Sequence, residues 1–62
     1  MPVINVMLTH QTKEKKKEII ERLTKTMVEI TNIPAQAFTV IIDEHDPENI
    51  GTGGIQLSER RS

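Results

Sequence analysis

The chain has no cysteine, tryptophan or tyrosine, and Phe38 is its one aromatic residue. Lack of cysteine excludes disulfides and thiolate metal sites, leaving His10 and His45 as the available imidazole ligands, so no structural metal is expected. Lack of aromatics leaves a core of Ile, Val, Leu and Met, which bury less area per residue than rings do. At 62 residues there is room for one domain, residues 1–62. A single core of this size rarely supplies more than about 3–5 kcal/mol unless something else helps. With disulfide and metal set aside, the helper left is association with further copies.

An excess of charge of either sign is also missing: eight Lys and Arg oppose nine Asp and Glu, for a net charge of −1. Neither nucleic acid nor an anionic membrane is therefore an expected partner. No apolar run approaches the length of a membrane span, and the N-terminus lacks the basic-then-apolar layout of a signal peptide. The expected location is cytoplasmic, and no cofactor is implied.

What the chain does contain is a strand, helix, strand pattern. Residues Pro2 to Leu8 are rich in β-branched side chains, and a proline is tolerated at the start of a strand. Pro2, Ile4, Val6 and Leu8 fall on one face, and Val3, Asn5 and Met7 on the other. Thr12 is a suitable N-cap for a helix running to about Thr31, with Asn32 suited to its C-terminal end and Pro34 preventing continuation. Within it Ile19, Ile20, Leu23, Met27 and Ile30 keep helical spacing and form an apolar stripe, opposite a solvated face of Lys13, Lys16, Lys17, Glu21 and Lys25. The lysines of the first turns oppose the helix macrodipole and, with Glu14 and Glu18 interleaved, read as a solubilising face.

After the turn at Ile33-Pro34-Ala35-Gln36, a second strand is expected over Ala37 to Glu44. A crossover of nearly thirty residues implies a right-handed βαβ unit with parallel strands. Phe38, Val40 and Ile42 share one face of the second strand, Thr39 and Ile41 the other. One helix covers one face of a two-stranded sheet, so the second apolar face requires another copy. His45 to Asn49 carry turn chemistry, and Ile50 to Ile55 form a glycine-rich segment suited to a tight hairpin or to close packing on a neighbouring subunit. The phosphate-loop pattern is not met, because no lysine follows in the required place. Leu57 to Ser62 read as a short polar tail.

Candidate catalytic groups are few. No Ser-His-Asp arrangement is defensible, and the two histidines fall in turns. Asp43, Glu44, Asp46 and Glu48 lack the alternating ligands of a calcium loop and read as a strand ending in solvent. Pro2 is different, because removal of Met1 makes its secondary amine the chain terminus. Desolvation on an apolar strand lowers the pKa of such an amine, and a neutral amine near pH 7 takes a proton from carbon and returns it elsewhere.

Met-Pro opening a strand, a helix ending near Pro34, the strand V-I-I-D-E and then G-T-G-G together resemble the 4-oxalocrotonate tautomerase family over the whole chain. The resemblance implies keto-enol isomerisation with Pro2 as general base and acid. It also implies βαβ subunits that form dimers and commonly hexamers, with Gly51 to Ile55 as an intersubunit element. Substrate-binding positions then fall on Leu8, His10, Gln11, Thr39 and Ile50. The family's two carboxylate-binding arginines are absent: the loop after strand one offers His10 and Gln11, and the strand position holds Thr39. Ile50 stands where a pocket aromatic is usual, and Thr52 where hydrating relatives place an acid. The expected substrate is therefore a small enol or 2-oxo acid, and the alternative is a non-catalytic oligomeric module of the same fold.

Overall fold

A computed structural model describes residues 1–60. Strand β1 (Val3–Leu8) is followed by helix α1 (Lys13–Thr31), strand β2 (Thr39–Glu44) and a small hairpin of β3 (Gly51–Thr52) and β4 (Ile55–Gln56). β1 and β2 pair in parallel, with Val3 opposite Thr39 and Leu8 opposite Glu44. The βαβ unit, parallel sheet and C-terminal hairpin expected from the sequence are all present. Arg61 and Ser62, the end of the expected polar tail, lie outside the described residues; its first part, Leu57–Glu59, is a short 3-10 turn.

Helix α1 begins where expected. The Thr12 hydroxyl accepts the Lys15 amide at 3.1 Å, satisfying one of the donors that an α-helix leaves free at its start. It ends at Asn32, which takes the left-handed conformation (φ 61°) and donates its amide to the Val28 carbonyl at 2.8 Å. Pro34 then bars continuation.

Two boundaries differ from expectation. β1 starts at Val3 and β2 at Thr39, because Ala35–Ala37 close a 3-10 turn in which the Ala37 and Phe38 amides donate back to Pro34 and Ala35. This segment satisfies its hydrogen bonds locally before the strand begins.

Burial alternates along β1, with Ile4, Val6 and Leu8 half-buried on one face and Val3, Asn5 and Met7 exposed on the other. In β2 the half-buried Val40 and Ile42 match the first set, and Thr39 and Ile41 the second. From the helix, Ile19, Leu23, Met27 and Val28 are half-buried. The apolar stripe is thus rotated from the expected one: Ile20 is 41% and Ile30 70% exposed, whereas Lys16, assigned to the solvated face, is half-buried.

Among the described residues none is fully buried. Met7 remains 72% exposed and Val3 50%, both on the sheet face opposite the half-buried set. The radius of gyration is 14.7 Å, with extents of 42 × 24 × 18 Å, against the roughly 11 Å of a compact domain of this length. One copy is an elongated layer without an enclosed core.

Candidate active site

The residues singled out from the sequence fall at two ends of the sheet. Pro2 is half-buried immediately before β1, and its carbonyl accepts the Thr39 amide at 3.0 Å. Thr39 pairs in register with Val3, so its side chain shares the uncovered face with Val3. Met1, preceding Pro2, is 91% exposed.

Leu8, His10 and Gln11 gather at the opposite end. Six residues at about 3.3 Å each separate Pro2 from Leu8 by about 20 Å. There the Leu8 carbonyl accepts the His45 amide at 2.9 Å. Gln11 donates its backbone amide to Glu44 Oε2 at 2.9 Å, while Lys16 Nζ reaches Glu44 Oε1 at 3.1 Å. His10 is an exposed residue whose Nε2 lies 2.5 Å from Asp46 Oδ1 and whose Nδ1 lies 3.8 Å from Glu44 Oε2. Both ring nitrogens therefore lie near carboxylates of this same chain. The Gln11 amide, and after it the Lys16 ammonium, hold the Glu44 carboxyl below the usual value of 4.5.

Glu44, expected from the sequence to end a strand in solvent, instead ties a loop amide to a helix lysine through its carboxylate. Its residue type and position give no signal of this, because the partners come from a loop and a helix remote in sequence. Asp46 likewise acquires its partner only through the return of β2 beside β1.

Ile50 sits where the chain leaves a second 3-10 turn, Pro47–Asn49, and enters the hairpin. Its amide donates to Pro47, and its carbonyl accepts the Leu57 amide at 2.7 Å. Gly53 and Gly54 make the hairpin turn with φ of 62° and 83°, a region that costs other residues a backbone penalty. Arg60 closes over the hairpin by donating to the Thr52 carbonyl at 3.1 Å. No group of three or more metal-ligating side chains is found among the described residues, and no helix among them is long and apolar enough to cross a membrane.

A family model described as tautomerase enzyme matches residues 2–60. The chain belongs to the tautomerase family. Among its tautomerase-family relatives, a probable tautomerase of Helicobacter pylori is 40% identical over 65 residues, covering 98% of this chain and 96% of the relative. The crystal structure of DmpI from Helicobacter pylori superposes with a TM-score of 0.87 at 35% identity, covering 95% of this chain and all of that one. A heterohexameric 4-oxalocrotonate tautomerase from Chloroflexus aurantiacus superposes with a TM-score of 0.88 at 27% identity, covering 98% of this chain and 100% of its own. These tautomerase-fold matches span essentially the whole of this chain.

Proposed function

We propose that the protein is a keto-enol tautomerase of small enol or 2-oxo acids, with the Pro2 amine, freed by removal of Met1, moving the proton. The observation that carries this reading is the placement of Pro2: half-buried at the head of an apolar strand, in a chain of the tautomerase family. A secondary amine in such surroundings is disfavoured as the ammonium ion, and its neutral form is the base that removes a proton from carbon. The ring fixes the direction of the nitrogen lone pair. The protonated amine then delivers the proton to the other end of the conjugated system.

Substrate binding falls to Thr39, beside Pro2, to Ile50, and to Leu8, His10 and Gln11 at the opposite end of the sheet. Within one copy that end is about 20 Å from Pro2, so a working site draws on more than one subunit. A two-fold axis crossing β1 at right angles brings the Pro2 end of one strand to the Leu8 end of its partner. The uncovered face bearing Val3, Met7 and Ile41 supplies the apolar surface for such a pairing. A dimer is the least assembly that meets both needs, and we favour a hexamer, the size of assembly named for the Chloroflexus aurantiacus neighbour.

A second reading, an oligomeric module without activity, is favoured by one observation: a loop offering His10 and Gln11, and Thr39 on the second strand, stand where the 4-oxalocrotonate tautomerase family carries arginines. One experiment separates the two. Processed protein and its Pro2→Ala variant are assayed for ketonisation of a monocarboxylic enolpyruvate. Turnover by the first and its loss in the second supports the enzyme, while equal background rates in both support the module.

A further inference from the structure

Glu44 closes β2 and is paired in register with Leu8, which closes β1. Its two carboxylate oxygens serve different elements: Oε2 accepts the Gln11 amide at 2.9 Å, and Oε1 accepts the Lys16 ammonium at 3.1 Å. His10 Nδ1 stands 3.8 Å from Oε2, and the other ring nitrogen is engaged by Asp46. The stretch between Leu8 and the helix cap at Thr12 is thus held from the β2 side by two carboxylates, Asp46 on the His10 ring and Glu44 on the Gln11 backbone, and of the two Glu44 alone reaches the main chain.

We propose that Glu44 is a positioning residue that sets the conformation of the β1–α1 loop, and with it the placement of His10 and Gln11 for substrate binding. The second half rests on the tautomerase reading; the first stands on the loop geometry alone. The ammonium and carboxylate, 34% and 24% exposed, both still meet solvent and contribute modestly as an ion pair. A carboxylate accepting a backbone amide is directional and fixes the peptide plane it holds. Reach, rather than charge, is accordingly the property that matters. Glu44 acts through His10 and Gln11, assigned above to substrate binding, so its effect appears in substrate affinity and not in the proton-transfer step.

Two conservative variants separate reach from charge. Glu44→Gln keeps the length and an acceptor oxygen for the Gln11 amide but loses the charge; Glu44→Asp keeps the charge but falls one methylene short. Each is compared with wild type by hydrogen exchange at the Gln11 amide and by KM and kcat with a monocarboxylic enolpyruvate. The Asp variant is expected to raise exchange at Gln11 and KM by about tenfold or more with kcat within about threefold, and the Gln variant to stay near wild type in all three. The opposite order, or wild-type exchange in the Asp variant, would overturn the proposal. If exchange follows the expected order while KM does not move, Glu44 sets the loop but the link to substrate is wrong. If wild type itself has no turnover, the tautomerase reading falls, and the exchange order alone decides whether Glu44 sets the loop.

Discussion

Thr39 donates its amide to the carbonyl of Pro2 at 3.0 Å, so the residue proposed as catalyst is stitched into the sheet through the atom its chemistry does not use. The carbonyl fixes the position of the ring while the nitrogen stays available to become the chain terminus. A mobile N-terminal residue would carry the same amine without holding it in place.

Pro2→Ala keeps this hydrogen bond and leaves a primary amine after processing, but loses the ring. Ketonisation is expected to fall by roughly the 10²–10⁴-fold typical of a general acid-base group. Protein homogeneous for retained Met1 is expected to be at least as impaired, because an amide nitrogen is not basic. Comparable turnover by Met1-retaining and processed samples, verified by mass spectrometry, would rule out Pro2 as the base.

Carboxylate selectivity follows from what surrounds His10 and Lys16. Each faces a carboxylate of its own chain, Asp46 and Glu44 respectively, and no arginine stands at Gln11 or Thr39. A dicarboxylate is expected to gain less than about tenfold in kcat/KM over the matching monocarboxylate, since no guanidinium at either position offers a paired contact. Strong preference for the diacid would point to a cation supplied from elsewhere, such as Arg60 of another subunit.

The lowered pKa of Glu44 has a defined pH signature. The ionised group favours the folded arrangement, so its contribution is fully present above 4.5, the usual glutamate value, and is lost as pH falls through the lower folded value. His10 and Lys16 face this carboxylate, and Asp46 faces the other side of the His10 ring. The Gln11 amide resonance is therefore expected to hold its position near neutrality and to move toward a random-coil shift only below the usual glutamate range. Movement centred near neutral pH would show that Glu44 does not control this amide.

In the hairpin, Gly54 has φ of 83° and open space, with no atom within 4 Å, where a Cβ would stand, whereas Gly51 has no such backbone strain and its Cβ would meet the Ile55 carbonyl at an ordinary 3.5 Å. Gly54→Ala is expected to cost about 1–2 kcal/mol through backbone conformation alone, and Gly51→Ala to cost much less. Denaturant titration of the two variants at equal concentration tests the difference, and equal costs would show that packing decides.

The architecture is readable because its signals are local: β-branched runs for two strands, Thr12 and Asn32 at the ends of one helix, and glycines at a turn. Assignment to the family rests on several weak local pieces in a fixed order. What the sequence does not disclose depends on how elements meet. Helical spacing identifies Ile20 and Ile30 as apolar but cannot say which side of α1 meets the sheet, and both are exposed. Lys16 reads as solvated charge until β2 returns to place Glu44 beside its ammonium. β2 starts two residues later than composition implies, because Ala37 and Phe38 look like strand while their amides close a turn. The proline proposed as catalyst is suggested by its place after Met1 at the head of an apolar strand, whereas the loop proposed to meet the substrate is tied to a glutamate more than thirty residues away.

A layer 42 Å long with no fully buried residue among those described also constrains how the protein comes into being. A lone copy leaving the ribosome has little enclosed surface to reward folding, so with the assembly proposed above chain collapse and partner encounter are expected to be one bimolecular event. Refolding rate is then expected to rise with protein concentration, and the fold itself to be scarce in a cell that makes few copies.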